Sequence, residues 1–262
     1  MTQVPQLRVE NRGAQRWMIA DNPARLNAYT AAMWQALPGL IHEAEEDPSV
    51  RVLILTGAGE KAFSAGADIS EFDTQRSGEQ ARRYDDFNNS AFGSLANCSK
   101  PTIAMIHGIC FGGGLELAIC CDMRLAAETA RFSIPAAKLG IGYNARWIKP
   151  LLSVVSPATA KEMLFTARHY DAGAALRIGL VNAVYPAAQL AEATQDVANE
   201  LATNAPLSIR AAKAAIDALA HPSKGVDLTD IDALVHACFE SDDYAEGRRA
   251  FAEKRKPAFK GR

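Results

Sequence analysis

Twice in this chain an apolar, strand-forming run ends in a cluster of small residues. The first run, Val50-Arg51-Val52-Leu53-Ile54-Leu55-Thr56, leads to Phe63-Ser64-Ala65-Gly66-Ala67-Asp68. The second, Thr102-Ile103-Ala104-Met105-Ile106, leads to His107-Gly108-Ile109-Cys110-Phe111-Gly112-Gly113-Gly114-Leu115-Glu116. Each reads as strand, tight turn and helix start. Strands that alternate with helices must pair in parallel, because the helix carries the chain back across the sheet. The chain is therefore constrained to an α/β fold.

The remaining pattern agrees with that class. Short strands are expected over residues 7–10 and 17–20, a helix over 30–46 that Pro38 shifts or kinks, a polar helix over 78–98, a helix over 113–120 and a strand over 123–127. After residue 157 helical periodicity dominates. Ile231, Leu234, Val235, Cys238 and Phe239 form one apolar stripe that must pack on the chain's own core or on a neighbouring subunit. Asp243 and Glu246 have capping-box spacing for a last helix running to about Lys254. No Gly-, Ser- or Pro-rich linker divides the 262 residues. A net charge of −2 gives no pull toward nucleic acid or an anionic membrane. No apolar run is long enough to span a bilayer, and the N-terminal residues lack a signal-peptide pattern. Cys98, Cys110, Cys120, Cys121 and Cys238 show no CxxC spacing and read as reduced, mostly buried residues of a cytoplasmic protein.

The turns carry the chemistry. A helix start presents free N–H groups and a positive dipole end, and glycine and alanine admit a ligand close to that backbone. Two such donors meeting at one point would form an oxyanion hole. Glu116 falls about one helical turn after the Gly113 amide, among Leu115, Leu117, Ala118, Ile119 and Cys120. An acidic residue in a first turn complements the dipole, but a helix this apolar predicts burial. Desolvation then raises the carboxyl pKa into the range of a general acid/base. Asp68 and Glu71 have capping-box spacing, so capping is the role expected for Asp68. Gly57-Ala58-Gly59-Glu60-Lys61-Ala62 mimics a dinucleotide fingerprint without the helix that must follow it. Ala62-Phe63-Ser64-Ala65-Gly66 mimics a nucleophile elbow, yet no local pattern selects His169, His221 or His236 as its base. Ser64 therefore reads as a turn residue. No metal-ligand cluster is visible, and no metal is expected.

With both turns and the C-terminal segment in view, the chain resembles the crotonase (enoyl-CoA hydratase/isomerase) superfamily almost end to end. The resemblance rests on Asn22-Pro23 with Leu26-Asn27-Ala28, the turn 63–68, Gly108 with 112–116, residues 174–182, Glu246-Gly247 and Ala250-Phe251-Ala252-Glu253-Lys254-Arg255-Lys256. It implies a spiral of ββα units over residues 1–200 and a C-terminal helical region over 201–262 that builds a homotrimer or homohexamer. It also implies an acyl-CoA thioester substrate, with coenzyme A entering as part of that substrate and no separate cofactor. The thioester enolate would rest on the amides of Ala67 and Gly113, with Glu116 as general acid/base. Substrate contacts carried over by position are Arg25, Ala67, Asp68, Ile69, Ser70, Gly113 and Tyr143, with Phe251 and Lys254 supplied from a neighbouring subunit.

One departure bears on the reaction. Hydratases of this family use a second glutamate after a proline, and here the chain reads Ile134-Pro135-Ala136. The stretch after it, Leu139-Gly140-Ile141-Gly142-Tyr143-Asn144-Ala145-Arg146-Trp147, offers instead a phenol, an amide and a guanidinium. The expected activity is hydration of a 2-enoyl-CoA by Glu116 alone, helped by Tyr143 or water. A double-bond isomerase, a decarboxylase or thioester hydrolase, and a non-catalytic CoA-binding protein are the alternatives.

Overall fold

A computed structural model describes residues 4–71, 79–220 and 229–262. Two sheets organise the first part of the chain. The larger contains β1 (Gln6–Arg12), β2 (Gln15–Asp21), β3 (Val52–Gly57), β5 (Thr102–Ile106), β7 (Met123–Ala127) and β10 (Ala183–Tyr185), in the order β1-β2-β3-β5-β7-β10. Only the β1–β2 hairpin is antiparallel. The smaller contains β4 (Ala62–Ser64), β6 (Ile109–Phe111), β8 (Arg131–Ser133) and β9 (Tyr170–Asp171), with β9 antiparallel to β8. Strands β3, β5 and β7 are each followed within a few residues by β4, β6 and β8 of the smaller sheet, and the chain then turns into helix. This is the repeated ββα path that the resemblance implies.

The apolar run of β3 is continuous because both faces of the sheet are covered. Leu53 and Leu55 join Met18, Ala104 and Ile106 on the face under α1 (Ala31–Glu46). Val52 and Ile54 join Trp17, Ile19, Ile103 and Met105 on the other, closed by Leu190 and Ala198 of α7 (Leu190–Thr203). Helix α1 starts where the Thr30 hydroxyl accepts from Met33 N–H, and it buries Met33, Trp34, Leu37, Ile41 and Ala44. Pro38 neither moves that start nor interrupts the helix. Its missing N–H costs one bond, and the buried face on either side of it holds the helix together. The second helix, α2, spans Glu79–Ala96, and Gly78 lies outside the described residues.

Two further helices matter to the site: α3 (Gly113–Cys120), buried from Gly114 onward, and α4 (Ala145–Val154). Helices α5 (Pro157–Thr166) and α6 (Ala172–Arg177) complete the first part. The chain then closes with α8 (Pro206–Ala220), α9 (Thr229–Glu240) and α10 (Asp242–Ala252). Lys213 of α8 fastens this region by reaching Asp122 Oδ2 at 2.8 Å and Lys100 O at 3.1 Å.

The expected capping box of the last helix is not what forms. Ser241 is the cap, its hydroxyl accepting from Tyr244 N–H. Asp243 instead accepts from the N–H groups of Lys260 and Gly261, and Glu246 from Ala258 N–H and Arg255. Both carboxylates are buried because they hold the C-terminal residues against the helix. Cap spacing is local, whereas those partners lie 9 to 18 residues away in sequence, beyond the end of the helix. The Ile231–Phe239 stripe is not absorbed into the core either. Val235, Cys238 and Phe239 line an open groove of about 660 Å³ with Ala211, Phe251 and Phe259. Four cysteines are buried, Cys238 is half-buried and all five are free thiols. Among the described residues no helix is long and apolar enough to cross a membrane.

Candidate active site

The two small-residue turns meet backbone to backbone. Gly66 has φ +97°, and a Cβ built on it would lie 2.9 Å from Phe111 O and 3.1 Å from Gly113 N. A Cβ on Gly114 would lie 2.6 Å from Ser64 O. Only hydrogen in place of a side chain lets the turns approach this closely. A Cβ on Gly113 would stand 3.9 Å from Ala67 N, so these two peptide units are neighbours.

Both N–H groups are free of the protein's own ladders, for different reasons. Gly113 is the first residue of α3, where the N–H has no intrahelical acceptor. Ala67 does not open a helix, contrary to the strand–turn–helix reading; a 3₁₀ turn, Ile69–Glu71, follows it. Its N–H is freed by a parallel bridge to Tyr29, in which Tyr29 N–H bonds Gly66 O and Asp68 N–H bonds Tyr29 O. Asp68 is buried and accepts from the N–H and hydroxyl of Ser70. Glu71 does not complete a box with it but accepts from Ala31 N–H at 2.8 Å, at the start of α1. Ser64 is fully buried and its hydroxyl accepts from Gly66 N–H, as a turn residue does and a nucleophile does not. Of the histidines that could have served it, His169 packs its ring on Phe111 and His221 lies outside the described residues.

One turn along α3, Glu116 is 1% exposed. Burial pushes its carboxyl up to about 8 from an ordinary 4.5, and the Tyr143 hydroxyl, donating to Oε2 at 3.0 Å, pulls partly the other way. Oε1 is buried without a hydrogen bond. The arrangement sets a carboxyl raised to about 8 one helical turn from the Gly113 N–H, which itself neighbours that of Ala67. Such a set can hold negative charge on a carbonyl oxygen and move a proton at a carbon beside it.

Around this platform runs an arc of aromatic side chains. Trp34 lies 3.3 Å from the Gly113 Cβ position, with Tyr29 at 4.5 Å and Phe92 at 5.4 Å between ring centres. Phe92 meets Trp147 at 6.1 Å, and Trp147 meets Tyr143 edge-on at 5.5 Å. The Trp147 indole N–H donates to Asn89 Oδ1 at 2.9 Å, tying α4 to α2. Tyr143 thus faces Glu116 from the segment that also holds Ala136. That alanine is buried in the 3₁₀ turn Pro135–Leu139, and its carbonyl accepts from Ile141 N–H. Asn144 is not part of the site; its side chain accepts from Arg146 N–H to cap α4, and Arg146 is exposed.

Arg25, Ile69 and Ser70 are exposed at the rim of the first turn. Arg25 is brought there by the bond from Ala65 N–H to Leu26 O. Two asparagines lock that loop: Asn27 donates to Ala58 O and Ala62 O and accepts from Asn22 N–H, and Asn22 donates to Ala28 O. Nothing in the sequence singles out Trp34 or Asn89, and Asn27 and Trp147 enter there only inside longer stretches. Only Asn27 carries a local signal, since asparagine tolerates the left-handed backbone it adopts at φ +56°. Phe251 is 87% exposed and lines the C-terminal groove, which shares no lining residue with the Glu116 platform. Lys254 is exposed just past the end of α10. Within one chain these two are not joined to the site.

The sequence model of the enoyl-CoA hydratase/isomerase family matches residues 17–262. A short-chain-enoyl-CoA hydratase of Clostridium acetobutylicum is 36% identical over 255 residues, covering 97% of each chain. A carnitinyl-CoA dehydratase of Proteus mirabilis is 36% identical over 263 residues, covering 98% of each. The crystal structure of an enoyl-CoA hydratase/carnithine racemase from Magnetospirillum magneticum superposes with a TM-score of 0.94 at 38% identity, over 98% of this chain and 96% of that one. With sequence and fold matching over nearly its whole length, the chain is an enzyme of the enoyl-CoA hydratase/isomerase family, within the crotonase superfamily.

Proposed function

We propose that this enzyme adds water reversibly across the 2,3 double bond of a 2-enoyl-CoA thioester, using Glu116 as its single acid/base. The observation that carries the reading is the bare, buried Oε1 of Glu116 one turn from the free Gly113 N–H. The thioester carbonyl oxygen accepts from Ala67 and Gly113 N–H. Ionised Glu116 takes a proton from water as its oxygen bonds to C3, and the π electrons move through C2 onto the carbonyl oxygen as an enolate. The enolate collapses by taking the proton from Glu116 at C2, which restores the carboxylate. One carboxyl serving both steps delivers oxygen and hydrogen to the same face. A pKa near 8 suits a group that must both accept and return a proton. Relatives named as a hydratase and a dehydratase support the same reaction in its two directions.

Arg25 and the exposed Ile69–Ser70 rim supply the nucleotide side of the thioester's cradle in this reading. Phe251 and Lys254 reach it from a neighbouring subunit of a trimer or hexamer that covers the apolar groove of α8–α10. Ala136 favours one rival, since a single base also suffices to move a proton between C2 and C4 and shift the double bond. The deciding experiment offers 2-enoyl-, 3-enoyl- and malonyl-type CoA thioesters to the wild type and to Glu116→Gln, with products identified by mass and retention. We expect 3-hydroxyacyl-CoA from the 2-enoyl thioester and loss of turnover in the variant. Product from the 3-enoyl thioester alone would establish the isomerase. Product from malonyl-type thioesters alone, or an active Glu116→Gln, would overturn the assignment.

A further inference from the structure

The two oxygens of Glu116 are not equivalent. A carboxylate offers about four lone-pair positions, and in these buried, apolar surroundings the protein fills one of them. That donor is the Tyr143 hydroxyl on Oε2, while Oε1 is left bare. The phenol is not free to leave. Its ring packs edge-on against Trp147, the Trp147 N–H is tied to Asn89 of α2, and the turn two residues before it is anchored by Ile141 N–H on Ala136 O. A side chain fixed at its ring and bonded at its tip sets the carboxyl's rotation as well as its partner.

Resting on the reading of Glu116 as the acid/base, we propose that Tyr143 is its positioning residue: the hydroxyl holds Oε2 and thereby makes Oε1 the one oxygen that exchanges the proton. The phenol takes no proton in the reaction. Its effect is electrostatic and geometric, because an O–H donor stabilises the carboxylate more than the neutral acid and presents the free oxygen in one direction. The other ionisable group that senses Glu116 among the described residues is the Cys120 thiol, one turn on along α3. Burial pushes that thiol well above its ordinary value, so it stays neutral through the working range. Among the described residues no cation pairs with the carboxyl, and the pull of Tyr143 on its ionisation works against desolvation alone.

Tyr143→Phe removes the hydroxyl and keeps the ring that packs on Trp147. The test is the pH profile of kcat/KM for crotonyl-CoA hydration in wild type, Tyr143→Phe and Trp147→Phe, the last keeping a ring but losing the bond to Asn89. With the base form required, the wild-type profile rises toward a plateau above about pH 8. In Tyr143→Phe we expect the rising limb to move up by about one pH unit, which alone lowers kcat/KM at pH 7 about tenfold. The alkaline plateau should fall as well, because the carboxyl is no longer held in one rotation, while KM changes little. Trp147→Phe should move the limb the same way by less. A limb that stays in place in both variants, whatever happens to the plateau, overturns the inference. Glu116→Gln is measured beside them. If it stays active, the acid/base reading itself has failed; if it is dead while Tyr143→Phe keeps the wild-type profile, only the role of Tyr143 has failed.

Discussion

Replacing Glu116 by glutamine separates its charge from its shape. Glutamine keeps the size and an oxygen that accepts from Tyr143, but it cannot ionise. In the wild type, burial lifts the carboxyl from 4.5 to about 8. An acid whose folded-state pKa lies above its unfolded value favours folding below the unfolded value. That contribution is lost as pH rises through the folded one. The window therefore runs from pH 4.5 to about 8, roughly 3.5 pH units. At about 1.36 kcal/mol per unit, ionising Glu116 disfavours the folded state by about 5 kcal/mol once the pH exceeds 8. At pH 5 the same sum is under about 1 kcal/mol. Unfolding of wild type and Glu116→Gln, followed from pH 5 to 9 at one protomer concentration, reads this directly. The variants should nearly coincide at pH 5. Glu116→Gln should then gain steadily to about pH 8 and hold a constant lead, on the order of 10 °C in Tm, above it. Other titrating groups are common to both proteins and cancel in the difference. A gap that does not change with pH would show that the carboxyl is solvated in the folded protein, and the argument for its tuned pKa would fail.

Two further outcomes test the platform and its surroundings. Gly114→Ala drives a methyl to 2.6 Å from Ser64 O and 2.7 Å from Ser64 Cβ, so the turns must part. It should cost about 1–3 kcal/mol of stability and a larger share of kcat/KM, because the two amides shift relative to each other; wild-type kcat/KM in a destabilised variant would refute the coupling. Phe239→Glu places a charge at the apolar groove lined by Val235, Cys238 and Phe251. Light scattering on a sizing column should show a smaller assembly than wild type, and an unchanged mass would refute the groove as the covered surface.

The large sheet and α1 were legible because their signals are dense and local. An unbroken Val-Leu-Ile-Leu run at β3 and five buried positions on one face of α1 leave little freedom. The smaller sheet was not legible. Its strands are three residues or fewer, and each is held by partners far along the chain, so β6 passed for part of a turn. The same distance explains the misread carboxylates. Glu71 and Glu246 have the spacing of local caps but bond to Ala31 and Ala258. A carboxylate goes where buried donors need it, and spacing along the chain does not record that need.

By itself the sequence determined the α/β class, the two glycine turns and the burial of Glu116. Each of these depends on backbone freedom or apolarity within a few residues. Tertiary structure alone decided that Ala67 is freed by a bridge to Tyr29 and that Gly66 and Gly114 press the turns together. It also decided that Tyr143, 27 residues beyond Glu116, claims one of its oxygens. Hydrogen bonds between side chains depend on distance in space, and packing of the elements sets that distance.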